Sequence, residues 1–480
     1  MAVFYMDPFT GNDNFTGDAP DKAWRTLMKA SAYTFMPGDR LLFRAGGIWQ
    51  GHLHLKGSGT ADAPITVGSY GEGPRPVIDG AGAAGLDANN GVTVLLYNQD
   101  YWEISGLEIT NDAEEEGERW GIMVRWHDYG TGRHVYIRNC DIHDIRGCLR
   151  PRFRGDGIIV VASGSHIRTC YDDVLIEDNT FRNIDRTAIV IWSQWAERGR
   201  VNFKMGTGYS LHSTVGPYTP NTNVVVRGNV IDSCAGDGIL VQCTKDCLVE
   251  YNVASNCNCK NGYRFHDANV PIWPQNSDGF VMQYNEAYDT KSTSDGQGYD
   301  IDFECYDTTV QYNYSHDNEG GFMLIMDEVY DTVIRYNISQ NDGCAIFDAR
   351  NEGYAAIYNN TFYMGSEKIF RDGRAKKNGL FANNIFYCKT PAEITEWGGY
   401  EFRSNCYYNL TPKAEESDAV VADPGFTAGG TGAVGRDTLK GYTLKAESPC
   451  KEKGIVIPDN GGIDFFGDPI GEKPSIGAVQ

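Results

Sequence analysis

The chain has 480 residues and a formal charge of -22, a length that suits two or three ordinary domains or one elongated one. That charge argues against a nucleic-acid backbone or an anionic membrane surface as partner. No apolar run approaches the roughly 18 residues of a spanning helix, and the opening Met1-Ala2-Val3-Phe4-Tyr5 lacks the charged start and cleavage site of a leader. The expected location is therefore cytoplasmic, or secreted if a leader was removed.

The first segment, Phe4 to Asp13, reads as a strand and a Gly-Asn-Asp turn. An amphipathic helix is expected near Lys22 to Ala32, with Ala23, Leu27, Met28 and Ala30 among its apolar positions. After Pro37-Gly38-Asp39 come short strands punctuated by glycine: Leu41-Leu42-Phe43, Ile65-Thr66-Val67 and Val77-Ile78-Asp79. One helix before a long series of strands suits a lid that covers the sticky end of a stack.

From about Tyr101 the chain repeats itself. A strand ends in Asn, a small turn follows, and a second strand starts, with the marker at Asn139, Asn179, Asn229, Asn252, Asn285, Asn313, Asn337, Asn360, Asn384 and Asn405. Regular intervals are 23, 24, 23, 24 and 21 residues, and the intervals of 40, 50, 33 and 28 carry extra loop. A period near 23 without helices predicts a solenoid whose strands stack into parallel sheets. Asn tolerates left-handed backbone at a tight turn, and its amide can bond to the next coil's Asn. The expected fold is all-β: a right-handed parallel β-helix with an N-terminal capping helix, a single domain over 1–480. Its parts are 1–100 (cap and first coils), 101–410 (central coils with insertions) and 411–480 (final turns). The 13 cysteines are expected to be buried free thiols, because Cys243, Cys247, Cys257 and Cys259 do not complete a zinc-site spacing.

Met6-Asp7-Pro8 through Asn12-Asp13, the coils with Val310-Gln311-Tyr312-Asn313, and the ending Asp464-Phe465-Phe466-Gly467 with Ile476-Gly477-Ala478 resemble the right-handed parallel β-helix carbohydrate-active enzymes. The likeness is to glycoside hydrolases of the β-xylosidase and α-L-fucosidase β-helix type, and more distantly to pectate-lyase-like polysaccharide lyases. It implies an oligosaccharide or polysaccharide substrate and acidic catalytic residues on one strand face or on adjacent coils.

The acids concentrate in Tyr299-Asp300-Ile301-Asp302-Phe303-Glu304. As one strand it sends Asp300, Asp302 and Glu304 to a common face. The enlarged repeats, carrying Arg146 to Arg154, Trp192 to Pro220, His266 to Ser277 and Lys291 to Gln297, precede or touch it, as walls of a groove would. Matching Ala188, Gly238, Gly262, Gly298 and Gly321 across coils sets Trp192, Gln242, Arg264 and His266 outward. The same register puts Arg264 beside Asp300, His266 beside Asp302 and Glu304 beside Asp327. Asp302 is the expected central carboxylate, with Asp295, Asp300, Glu304 or Asp327 as partner, and Trp192, Gln242, Arg264, His266 and Glu319 are expected to bind sugar. No cofactor is expected for a hydrolase. In the lyase alternative the acids would hold Ca²⁺ and Arg264 or His266 would abstract the proton. A non-catalytic binding spike is the third possibility.

Overall fold

The computed structural model describes all residues except 86–90, 149–154, 200, 202–213, 261–262, 265–267, 293, 372–377 and 394–397, and omits the side chains of 259–260 and 263–264. The chain divides into two compact units, one built on Met1–Cys247 and the other on Leu248–Cys259 with Tyr263–Gln480. Each is a stack of coils with three parallel sheets. In the second unit one coil runs Val281–Gln283, Glu286–Tyr288 and Gln297–Ile301. The next runs Tyr306–Gln311, Tyr314–His316 and Gly321–Ile325. Their register pairs Met282 with Val310, Ala287 with Ser315 and Tyr299 with Met323. This is the expected parallel β-helix.

Period-two alternation sends one face of each strand inward, where like sits on like. Val310, Ile334, Ile357, Phe381 and Phe402 form one column, and Phe362, Phe386 and Tyr407 stack at 5.3 and 5.4 Å in another. Among the described cysteines ten are buried free thiols, while Cys170 is half-buried and Cys344 exposed.

A buried amide ladder ties the coils together. Along Asn252, Asn285, Asn313, Asn337, Asn360, Asn384 and Asn405, each of the first six donates Nδ2 to the next one's Oδ1 at 3.0–3.1 Å. The last rung, Asn405, donates to Glu416 Oε1 at 2.9 Å. The expected left-handed residue is displaced by one. It precedes the ladder position, as at Tyr284, Tyr312 and Tyr336 (φ 55°, 56° and 50°), because the ladder amide must point back into the stack. In the first unit Asn139 is the left-handed residue (φ 50°), and Cys140, one step on, donates its backbone N–H to Asn179 Oδ1 at 3.0 Å.

The N-terminal helix is shorter than its pattern suggested, Leu27–Ala32. Asp13 accepts the N–H groups of Arg25 and Thr26, and Thr26 caps the helix through Lys29 N–H at 3.2 Å. Residues 23–26 are thereby held extended. Leu27 and Ala30 are buried as expected, but Met28 is 76% exposed. No described helix is long and apolar enough to cross a membrane.

The C-terminal segment packs along the second unit's coils. Phe426, Leu439, Tyr442 and Phe465 close over Tyr314, Ile338 and Ile385. Glu286 accepts Gly435 N–H with both oxygens, at 2.8 and 3.1 Å, and is itself paired with the buried His316, 3.1 Å away. Burial opposes charge on His316, but hydrogen bonds donated to Asp317 and Glu286 outweigh it and raise its pKa to about 9.

Two outcomes follow from this frame. Asn337→Ala leaves the buried N–H of Asn313 without its acceptor and removes one of the two hydrogen bonds donated by Asn313 Nδ2, which at about 1–3 kcal/mol for each buried donor left unpaired predicts a loss of about 2–4 kcal/mol in urea unfolding. His316 is protonated more readily folded (about 9) than unfolded (6.5), so its contribution is full below the unfolded value and is lost as pH rises through the folded one. Unfolding of the wild type followed across that window should show the decline, and His316→Gln should flatten it.

Candidate active site

The third sheet of the second unit comprises Ile272–Gln275, Gln297–Ile301, Gly321–Ile325 and Phe347–Ala349. Its register pairs Ile272 with Tyr299, Tyr299 with Met323, and Met323 with Phe347. The neighbouring positions place Asp300, Leu324 and Asp348 in one column across three coils, and Trp273 follows Ile272 into the same column.

The three acids do not share one strand face. The strand ends at Ile301, and Asp302 to Cys305 turn, with Glu304 left-handed at φ 59°. Asp302 starts this turn by accepting Phe303 N–H at 2.8 Å. Glu304 is 3% exposed, accepts Tyr306 OH at 3.1 Å and donates its N–H to Glu328 O at 3.1 Å. Glu328, and not Asp327, is thus its neighbour on the next coil. The expected register slipped by one because Gly321 pairs with Gln297, where its φ of 124° suits glycine at the corner. Asp327 falls in the following turn and is half-buried.

The coil behind the acids is also corrected. Ile272–Gln275 pairs with the acidic strand, so Trp273 and Gln275 stand where Arg264 and His266 were expected. Arg264 has its backbone in the short strand Tyr263–Arg264, and His266 lies outside the described residues. Ile272–Gln275 falls within the expected insertion, His266 to Ser277. Pro274 is tolerated because its carbonyl still accepts Asp302 N–H at 3.0 Å.

Asp302 is half-buried and its Oδ2 accepts Gln275 Nε2 at 2.8 Å. Asp300 is 5% exposed, and its Oδ1 has no hydrogen-bond partner. Burial pushes its pKa well above the carboxylate range; Asp302 and Asp295 add to the rise and Arg350 opposes it. The surroundings of Asp300 therefore favour its protonated form. Asp295, in the inserted segment, is half-buried.

Two residues that sequence reasoning missed complete the cluster. Asp348 is held by Arg350 in a fork, Nε to Oδ1 at 3.0 Å and Nη2 to Oδ2 at 2.6 Å. That guanidinium also senses Asp295 and Asp300. Arg371 Nη1 lies 4.0 Å from Asp348 and donates to Ser294 O at 2.6 Å. The signal was present in Asp348-Ala349-Arg350, whose period of two puts acid and base on one face, but only the register aligns it with Asp300.

Glu319 is half-buried in a turn and donates its N–H to Thr290 O at 3.1 Å. Trp192 and Gln242 belong to the first unit. Trp192 pairs with Val161 and is 9% exposed, so little of its face is open, while Gln242 Oε1 accepts Ser193 N–H at 3.1 Å.

The family model for the right-handed beta helix region matches residues 92–270 and 221–362. The chain is 27% identical to a lacto-N-biosidase of Bifidobacterium longum subsp. longum over 584 aligned residues, covering 100% of this chain and 36% of that protein. It thus spans about a third of that relative's length. A stretch of 65 residues is 35% identical to alpha-1,3-galactosidase A of Akkermansia muciniphila, covering 14% of this chain and 11% of that one. Among solved structures, the GH136 lacto-N-biosidase of Eubacterium ramulus superposes with a TM-score of 0.68 at 24% identity, over 80% of this chain and 67% of that one. XylC in complex with xylose follows at 0.58 and 13%, over 99% and 98%.

The pKa of Asp300 is raised on folding, so the group costs stability increasingly as pH rises above its unfolded value of 3.8. Asp300→Asn should therefore melt higher than the wild type at pH 7, with the difference vanishing near the unfolded value in a calorimetric pH series.

Proposed function

The chain belongs to the right-handed β-helix family, and on that footing we propose that it is a glycoside hydrolase acting on oligosaccharides. The observation that carries this reading is the pair of half-buried carboxylates, Asp302 and Asp295, both of which act on the buried Asp300, whose pKa is raised. Glycoside hydrolysis needs one carboxyl to protonate the leaving oxygen and another, ionised, to attack the anomeric carbon or activate water. Asp302 suits the ionised role. The Gln275 amide and the Phe303 N–H both donate to it, and hydrogen bonds to a carboxylate favour its charge. Asp295, on the inserted rim, is assigned the leaving-group side. Asp300 lies too deep to reach a sugar directly and keeps the cluster from accumulating a further charge.

Trp273 is half-buried in the column beside Asp300 and offers an indole surface for stacking a sugar ring. The finer proposal is lacto-N-biosidase-type specificity, supported by the relative that aligns along all of this chain. In the calcium alternative a cation would need the cluster's carboxylate oxygens. Arg350 already takes both oxygens of Asp348, which favours hydrolysis.

A panel of aryl glycosides that includes an aryl lacto-N-bioside, read by release of the aryl group, tests this. Asp302→Asn should lower kcat by about 10²–10⁴-fold, the usual contribution of a positioned acid or base, while the melting curve stays cooperative. A folded Asp302→Asn protein with full activity would overturn the assignment.

A further inference from the structure

We propose that Arg371, Asp348 and Arg350 form a positioning clamp that holds the Ser294-Asp295 rim over the strand Gln297–Ile301, acting through Asp295 and not on the sugar. The proposal rests on the assignment of Asp295 and Asp302 above. Asp348 lies two coils beyond Asp300 in the same column, about 10 Å away at the spacing of stacked strands. A side chain from the Asp348 coil must therefore cross the intervening one to reach the rim.

The two arginines approach the rim from different coils, Arg350 from the end of the Asp348 strand and Arg371 from the coil after it, whose Phe370 pairs with Phe347. Arg350 grips Asp348 with Nε and Nη2, and its Nη1 rests 3.4 Å from the sulfur of Met326, in the turn of the intervening coil. From there its charge reaches both Asp295 and Asp300. Arg371 is fixed at its base by its backbone N–H on Phe347 O at 2.8 Å, and its Nη1 grasps the carbonyl of Ser294 at 2.6 Å. Asp348, which is buried, sits between the two guanidinium groups, so it orients both.

The far side of the rim is fixed independently. Gly296 donates its N–H to Asn269 O at 3.2 Å and accepts Gly320 N–H at 2.9 Å. Its φ of 83° turns the chain from the rim into the strand. With Gly296 pinned on one side and Ser294 O held by Arg371 on the other, the backbone on either side of Asp295 is secured. Planar, forked donors suit a relay in which direction matters as much as charge.

Arg371→Ala and Arg371→Lys in the full chain provide the test, with kinetics on the aryl lacto-N-bioside and amide exchange across 294–296. For Arg371→Ala, kcat should fall about 100-fold, the scale of an ångström misplacement of a reacting group, with KM nearly unchanged and faster exchange in the rim. Arg371→Lys retains a donor for Ser294 O and should recover much of the loss. Unchanged exchange in Arg371→Ala would overturn the clamp, as would a rise in KM at constant kcat, which would mean that Arg371 binds substrate. If the wild type hydrolyses none of the panel, or Asp302→Asn stays active, the hydrolase reading fails, and the exchange experiment still decides whether the clamp exists.

Discussion

The interaction on which the second unit depends is the buried amide ladder from Asn252 to Asn405. Each Oδ1 takes two donors from the preceding coil, the backbone N–H and Nδ2, as Asn313 does from Asn285 at 2.9 and 3.1 Å. From Asn285 onward each Nδ2 also reaches a carbonyl of the preceding coil, as Asn337 does to Val310 O at 3.0 Å. One side chain thus joins three successive coils. A neutral amide is suited to this, because it carries donors and an acceptor together and can be buried without ionisation. The ladder locks where every coil begins, and from that point the alternation of the strands decides which residues of the third sheet meet.

That lock explains how the acidic cluster can exist. Four carboxylates within reach of one another would repel if all were ionised and exposed to a low-dielectric wall. The cluster eases the conflict in two ways: burial and acidic neighbours push Asp300 toward its neutral form, and Asp348 is paired with Arg350. Both solutions cost stability that a looser scaffold would recover by moving apart. A stack held by buried hydrogen bonds on every coil leaves little room for such relaxation, which is a usual way for a fold to maintain an unfavourable arrangement at a functional site.

The repeat, the parallel coils and the general place of the acids were legible in the sequence because they rest on periodicity, which survives small errors. The details were not, because they rest on register, which does not. Treating Gly321 as the partner of Gly298 shifted one coil by a single residue and moved Asp327 beside Glu304. Assigning His266 to Ser277 to an insertion hid the paired strand within it, so Trp273 and Gln275 were passed over for Arg264 and His266. Reading Tyr299 to Tyr306 as continuous strand missed the turn that Asp302 starts. Asp348 and Arg350 stood in plain view as alternating residues, but their relation to Asp300, two coils earlier, could not be seen without the intervening pairings.

The carboxylate of Glu416 gives the ladder a boundary. It accepts both the backbone N–H and Nδ2 of Asn405 at 2.9 Å, filling the place where a further asparagine would dock, while its other oxygen is satisfied by Tyr407 OH at 2.7 Å. A solenoid is a polymer in miniature, and whatever interaction adds one coil to the next would equally add a coil from another molecule. Substituting an acceptor-only group for an amide at that position supplies what the last coil needs and offers nothing onward, so the ladder's propagation is chemically terminated.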